Sequence, residues 1–229
     1  MSTRFLFWDI DGTLLTTKRA GIFALEEAAR EVCGTTPDFA SLDTAGLTDH
    51  EVAVLAIHAC GQEASPQLAA DLLRAYERYL PDRLGLRQGG PLPGVVEILN
   101  ALDDREDAVS LLLTGNTAAG ARAKLEHYGL AAYFAGGAFC IDGDDRPGIA
   151  RRALEVAAGH ARATVSPDSV FVIGDTPHDI RCGQAIGART VAVASGSYGL
   201  DELEKCDPWL ALERLPAPGR FVELLMLDR

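Results

Sequence analysis

A short apolar run followed at once by two closely spaced aspartates is the feature that most constrains this chain. FLFW occupies residues 5–8 and DIDGT occupies residues 9–13. An apolar run that ends at a glycine turn is typical of a buried strand. Because side chains alternate along an extended segment, Asp9 and Asp11 point to the same side. Two such carboxylates repel each other unless a cation or a shared proton offsets their charge, so the pair indicates chemistry rather than an ordinary solvated turn.

The rest of the pattern predicts an α/β fold with an inserted helical part. Buried strands at 108–113, 170–173 and 190–194 alternate with helical segments, which indicates a Rossmann-like parallel sheet flanked by helices. Residues 17–88 show only helical periodicity, including a helix that begins at Ser65-Pro66 and is expected to end before Pro81. We therefore expect a catalytic core at 1–16 and 89–229, with an all-α cap at 17–88.

Composition limits the class of protein. Of the 229 residues 48% are hydrophobic, yet no apolar segment reaches the roughly 18 residues of a membrane span. The net charge of −12 argues against a nucleic-acid partner, and we expect no membrane partner. The five cysteines are scattered and the N-terminal segment does not resemble a signal peptide, so the expected location is the cytoplasm. The oligomeric state does not follow from the sequence.

Three of the predicted strands end in polar residues. DIDGT follows the first strand, TGN (114–116) follows the second, and GDTPHD (174–179) follows the third. Ligands of parallel sheets bind beyond the carboxyl ends of the strands, where these segments would meet. Carboxylates are hard ligands for Mg²⁺, and hydroxyl and backbone N–H groups suit a phosphate. The sequence thus predicts a magnesium site beside a phosphate site.

These three strand ends, in this order, resemble the signatures of the haloacid dehalogenase superfamily of phosphohydrolases, and the resemblance covers essentially the whole chain. The helical insert resembles the cap of the subgroup that includes phosphoglycolate phosphatase and β-phosphoglucomutase. DxDGT is highly specific, GDTPHD adds strong support, and the threonine-glycine pair is weak on its own. Dehalogenases proper lack the second aspartate, so its presence favours phosphoryl transfer over dehalogenation.

The resemblance implies roles for the site residues. Asp9 would be the nucleophile that forms an aspartyl-phosphate, and Asp11 would be the general acid and base. Mg²⁺ would be held by Asp9, the Asp11 backbone carbonyl and Asp175, with Asp179 as an outer or alternate ligand. The phosphoryl group would be bound by residues of the second strand end, namely Thr114, Gly115 and Asn116.

The family also requires a lysine or arginine that contacts the phosphoryl group. A common family form is Lys-Pro at a helix start, and Arg146-Pro147 occupies that place here. Arg146 is therefore the expected phosphate-binding cation, with Lys124 as the alternative. Arginine offers a bidentate fork where lysine offers a point charge, so the geometry would differ from the common form.

The leading hypothesis is a Mg²⁺-dependent phosphatase that acts on a small phosphorylated metabolite. A phosphomutase of the β-phosphoglucomutase type would use the same core, and a catalytically silent metabolite-binding protein is the third alternative. The family's caps are expected to carry a basic or polar residue in the loop that here reads Gly46-Leu47-Thr48-Asp49. An ordinary helix cap explains this loop equally well, and no motif names the substrate.

Overall fold

The computed structural model describes residues 3–141 and 145–226. Its main sheet has six parallel strands in the order β5-β4-β1-β6-β7-β8. These strands are β1 (Arg4–Trp8), β4 (Ala108–Leu113), β5 (Gly137–Ala138), β6 (Val170–Gly174), β7 (Arg189–Val193) and β8 (Leu210–Leu212). The remaining two, β2 (Leu15–Thr16) and β3 (Gly90–Pro91), form a separate antiparallel ribbon. The described helices are α1 (Ala20–Cys33), α2 (Asp49–Ala59), α3 (Pro66–Gly85), α4 (Val95–Asp103), α5 (Ala118–His127), α6 (Arg146–Ala161), α7 (Pro177–Ala185), α8 (Leu200–Glu204) and α9 (Pro218–Met226).

Strand β1 lies at the centre of the sheet because it is apolar on both faces. Phe7 pairs in register with Leu111 of β4 on one side and with Val172 of β6 on the other. One face of the sheet packs against α4, α5 and α9, and the opposite face packs against α6 and α7. A central strand buried on both faces is what a continuous apolar run predicts. The prediction of a Rossmann-like parallel sheet flanked by helices is confirmed.

Helices α1, α2 and α3 form a helical insert with an apolar cluster of its own. The chain passes from the core to this insert at β2 and returns at β3, where Leu15 pairs with Pro91 and Thr16 with Gly90. Just past β2, Lys18 and Arg19 both have positive φ, at 47° and 70°. The domain boundaries at 17–88 stay a prediction, and residues 1–2, 142–144 and 227–229 of the expected core lie outside the described residues. Among the described residues, no helix is both long and apolar enough to cross a membrane.

The prediction that the third helix ends before Pro81 was wrong. Helix α3 continues through Pro81 to Gly85. Proline removes one helical hydrogen bond and costs about 3 kcal/mol inside a helix. Leu80 and Leu84 flank it and are fully buried in the insert's apolar cluster, which offsets that cost. Tertiary packing therefore decides where this helix ends.

Candidate active site

The ends of β1, β4 and β6 bring the predicted site residues to one edge of the sheet. A cavity of about 290 Å³ opens there, between the core and the helical insert. The core contributes mainly polar residues to its wall, including Asp9, Asp11, Asn116, Lys124, Arg146 and Asp175. The insert contributes a more apolar set that includes Ile22, Leu25, Leu47, Asp49, Val52 and Tyr76.

Three buried carboxylates form the deepest part of the site. Asp9, Asp175 and Asp179 each offer an oxygen within 4.8 Å of the others, and their side chains are almost inaccessible to solvent. The Thr13 hydroxyl donates to Asp175 at 2.8 Å. A cluster of hard oxygen donors in this arrangement fits Mg²⁺, which is commonly held by one or two carboxylates. The Asp11 side chain lies outside this group, so its predicted metal contact through the backbone carbonyl stays a prediction.

Gly12 makes the approach of Asp175 possible. Its φ is +83°, and a Cβ at this position would lie 2.4 Å from an Asp175 oxygen. Gly196, in the loop after β7, also lies against Asp175, because a Cβ there would overlap the same carboxylate. Gly12 therefore allows both the turn of the first motif, whose positive φ favours glycine, and the close contact with the third strand end.

The carboxylate cluster carries a specific electrostatic cost. Burial, together with the nearby Asp179, raises the pKa of Asp9 to about 7 and the pKa of Asp175 to about 8, from an ordinary value of 3.8. At pH values between the ordinary pKa and these raised pKa values, the two carboxyl groups hold more protons in the folded protein than in the unfolded chain. The free energy of unfolding without metal therefore falls as the pH rises from about 4 to about 8.

We expect Mg²⁺ to stabilise the protein more at pH 8 than at pH 5, because the ion competes with protons for these carboxylates. At a concentration 100 times the Kd, Mg²⁺ would add about 2.7 kcal/mol, or about 5–10 °C in Tm. Thermal melts with and without Mg²⁺ at the two pH values measure this difference. Asp175→Asn should abolish the Mg²⁺-dependent shift, and equal shifts at both pH values would contradict the expectation.

Arg146 lies beside this cluster at the first position of α6. Its Nη1 is 3.4 Å from Asp179 Oδ1, and its Nε donates to the Gly46 carbonyl at 3.0 Å. Asp179 also accepts from the backbone N–H and the hydroxyl of Thr176. The guanidinium is buried, lines the cavity and interacts electrostatically with Asp9. Arg146 thus lies beside the buried carboxylates and also contacts the insert, and its role as the phosphate-binding cation stays a prediction.

Asp11 belongs to a second group of contacting residues that also lines the cavity. Lys124 Nζ lies 2.5 Å from Asp11 Oδ2 and 2.5 Å from Asn116 Oδ1. The Asn116 amide donates to the same Asp11 oxygen at 2.9 Å and to the Thr114 hydroxyl at 2.8 Å. The structure therefore brings the predicted residues of the first two strand ends together through Lys124.

The loop before α2 docks on the core strand ends. The backbone N–H of Asp49 donates to the Gly115 carbonyl at 2.8 Å, and the Thr117 N–H donates to Asp49 Oδ2 at 2.7 Å. A Cβ at Gly115 would lie 2.9 Å from the Leu47 carbonyl oxygen and 3.0 Å from the Thr48 Cα. Thr48 also forms a capping box with Glu51. The loop is therefore both a helix cap and a contact between insert and core.

Comparison with known proteins identifies the family. The sequence model of the haloacid dehalogenase-like hydrolases matches residues 6–184, which include all three strand ends. The chain belongs to the haloacid dehalogenase-like hydrolase family. The predicted family and the prediction of a hydrolytic enzyme are thereby confirmed. No curated protein sequence matches the chain significantly.

Solved structures show the same fold over nearly the whole chain of this hydrolase. A predicted phosphatase from Clostridium acetobutylicum is 17% identical with a TM-score of 0.74, covering 99% of this chain and 100% of that one. A predicted phosphoglycolate phosphatase from Haemophilus somnus is 16% identical with a TM-score of 0.71, covering 99% of this chain and 98% of that one. A candidate β-phosphoglucomutase from Thermotoga maritima is 18% identical with a TM-score of 0.62, covering 98% and 99%. Identities this low show a shared fold rather than a shared substrate.

Several residues outside the predicted catalytic, metal and phosphate sites also line this cavity. Asp49 and Tyr76 of the insert line the cavity, and so does Gly196. Lys124 entered only as an alternative phosphate-binding cation. A signal for Lys124 does exist, since it lies between the buried Ala121 and Leu125 on the inward face of α5. A charged residue on a buried helix face requires a partner.

Proposed function

We propose that this enzyme is a Mg²⁺-dependent phosphatase that hydrolyses a small phosphomonoester through an aspartyl-phosphate on Asp9. The observation that supports this most strongly is the placement of two carboxylates with different surroundings at the end of β1. Asp9 is buried among acids that suit a cation, whereas the Asp11 carboxylate is 42% exposed and lines the cavity. These surroundings support Asp9 as the nucleophile and Asp11 as the group that exchanges protons with a substrate.

In the first step an Asp9 carboxylate oxygen attacks phosphorus, and the bond between phosphorus and the leaving-group oxygen breaks. Asp11 gives its proton to that oxygen, so the alcohol leaves neutral. In the second step Asp11 takes a proton from water as the water oxygen attacks phosphorus. The bond between Asp9 and phosphorus then breaks, which releases inorganic phosphate and restores the Asp9 carboxylate.

The other residues bind and neutralise the phosphoryl group. Thr114 and the Gly115 N–H would hold its oxygens, and the buried Arg146 would supply a positive charge beside Asp9. Asp9, Asp175 and the Asp11 carbonyl, with Asp179 nearby, would hold Mg²⁺. When bound, the ion reduces the repulsion between the anionic nucleophile and the anionic ester, which is about 4 kcal/mol for two unit charges at 4 Å and an effective dielectric of 20.

The insert supports a preference for a leaving group that is apolar at its far end. Ile22, Leu25, Leu47 and Val52 of the insert line the cavity. At the position where related caps are expected to offer a basic or polar residue, this chain has Leu47. Arg19 of the insert also lines the cavity, but its guanidinium lies over the Phe23 ring, so a carboxylate-bearing substrate such as phosphoglycolate would meet mostly apolar side chains here.

Phosphate release from a panel of phosphomonoesters, with Mg²⁺ or EDTA, tests the proposal. We expect hydrolysis that stops with EDTA and a higher kcat/KM for propyl phosphate than for phosphoglycolate. Transfer of the phosphoryl group between two positions of β-glucose 1-phosphate, without release of phosphate, would instead indicate a mutase. Binding of phosphate with no turnover of any ester would favour the silent metabolite-binding alternative.

A further inference from the structure

Lys124 is a buried cation that the catalytic scheme above does not use. Only 4% of its surface is exposed, although it lines the cavity. Its ammonium group contacts Asp11 and Asn116, each at 2.5 Å. A buried ammonium is costly unless it is paired, so these contacts account for its presence in the core.

The two buried cations of the cavity have different partners. Arg146 interacts electrostatically with Asp179 and Asp9, the acids of the expected metal site. Lys124 interacts with Asp11, Tyr76 and Asp49 instead. Arg146 is therefore the cation that interacts with the proposed nucleophile, and the charge of Lys124 is directed to the proposed general acid.

The hydrogen bonds to Asp11 are asymmetric. Lys124 and Asn116 both donate to Oδ2, and within the described part of the chain no hydrogen bond reaches Oδ1. Fixing one oxygen of a carboxyl group sets the direction of the other. Because Asp11 lines the cavity, its Oδ1 is left for the leaving-group oxygen and later for the attacking water.

The helical insert contributes to the surroundings of Lys124. Asp49 comes from α2 and Tyr76 from α3, and both lie close to Gly120, which is one turn before Lys124 on α5. A Cβ at Gly120 would be 3.5 Å from Asp49 Oδ2 and 3.5 Å from Tyr76 Cε1. The environment of Lys124 is therefore complete only when the insert sits against the core.

We propose that Lys124 is a positioning residue that orients Asp11 toward the leaving-group oxygen, and that docking of the insert through Asp49 and Tyr76 completes this arrangement. The inference rests on the proposed phosphatase function. It assigns to Lys124 a role in proton delivery rather than in phosphate binding. Proton delivery matters for an alkoxide, which is a poor leaving group, and matters little for p-nitrophenolate, which leaves without a proton.

The test compares kcat/KM of Lys124→Met and the wild type for propyl phosphate and p-nitrophenyl phosphate. The value of kcat/KM reports on the steps up to departure of the first leaving group, so hydrolysis of the aspartyl-phosphate does not mask the effect. We expect a loss of about 10²-fold for the alkyl ester and less than about 5-fold for the aryl ester, since general acid catalysis contributes roughly 10²–10⁴-fold. Equal losses for both esters would overturn the inference.

Binding of inorganic phosphate, measured by calorimetry, separates the two roles independently of turnover. Lys124→Met should keep the wild-type affinity within a few-fold, and a loss of binding would make Lys124 a phosphate ligand and overturn the inference. Lys205→Met, at an exposed lysine, is the matched control and should behave as the wild type. A wild type that hydrolyses neither ester would contradict the proposed function itself, whereas an active wild type with equal losses would contradict only the role of Lys124.

Tyr76→Phe extends the test if Lys124→Met does not fold. It removes only the phenol oxygen, which interacts electrostatically with Lys124, and loss of an interaction of about 1 kcal/mol corresponds to roughly 5-fold in rate. We expect that loss for propyl phosphate and no loss for p-nitrophenyl phosphate. An unchanged ratio between the two esters would overturn the proposed contribution of the insert.

Discussion

Asp9→Asn is expected to lower the rate of phosphate release by at least about 10⁴-fold, because the amide cannot attack phosphorus. Losses of this size or larger follow removal of nucleophiles in other covalent enzymes. Steady-state assays on the best ester of the panel measure the rate. Mass spectrometry of acid-quenched protein should detect covalent phosphate on the wild type and none on the variant.

Stability separates this loss from misfolding. Because burial and Asp179 raise the pKa of Asp9 to about 7, the substitution removes a carboxylate whose ionisation opposes folding near neutral pH. Without Mg²⁺, Asp9→Asn should melt no lower than the wild type at pH 8. Asp103→Asn, at an exposed acid on α4, is the control. Substantial activity in Asp9→Asn would exclude Asp9 as the nucleophile.

Arg146→Met is expected to cost about 10³-fold in kcat/KM for propyl and p-nitrophenyl phosphate alike, since the cation would stabilise the phosphoryl group in both reactions. Removing one preorganised donor costs roughly 10²–10³-fold, and arginines that stabilise phosphoryl transfer contribute about 10³–10⁵-fold. The equal effect on both esters distinguishes Arg146 from Lys124. Phosphate binding should also be lost, which calorimetry measures.

Two further variants sharpen this result. Arg151→Met, at an exposed arginine on the same helix, should leave activity unchanged. Arg146→Met also leaves a buried carboxylate without its partner, which destabilises proteins by about 3–5 kcal/mol. If it does not fold, Arg146→Lys keeps the charge but not the bidentate fork and should cost about tenfold. If Arg146→Met binds phosphate as the wild type does and Lys124→Met does not bind it, the roles given to the two cations must be exchanged.

The features that could be predicted from sequence are those encoded locally. The strands β1, β4 and β6 are short apolar runs with polar residues directly after them. The apolar run therefore identifies the strand, and the residues that follow it identify the site. Parallel pairing then requires Asp9, Thr114 and Asp175 to meet, whatever the details of packing. The partly buried edge strand β8 was missed because it lacks such a continuous apolar run that ends in polar residues.

The features that could not be predicted depend on contacts between distant segments. Nothing near Asp49 in sequence shows that its carboxylate accepts a hydrogen bond from Thr117, because that contact exists only once the insert meets α5. Lys124 illustrates the same point, since its contacts with Asp11 and Asn116 form only once α5 packs against the strand ends. Pro81 shows that burial of flanking leucines can override a local helix-breaking signal.

The ribbon of β2 and β3 also bears on how such a protein can diversify. The chain leaves the core beside the place where it returns, since Leu15 pairs with Pro91. The sheet order is therefore independent of how many residues lie between these two strands, and the entropic cost of a longer connection grows only slowly with its length. The insert can be lengthened, shortened or exchanged while the carboxylates of the strand ends keep their positions. A new substrate preference can then arise in the insert, as long as its contacts with the strand ends, such as that of Asp49 with Gly115, are kept.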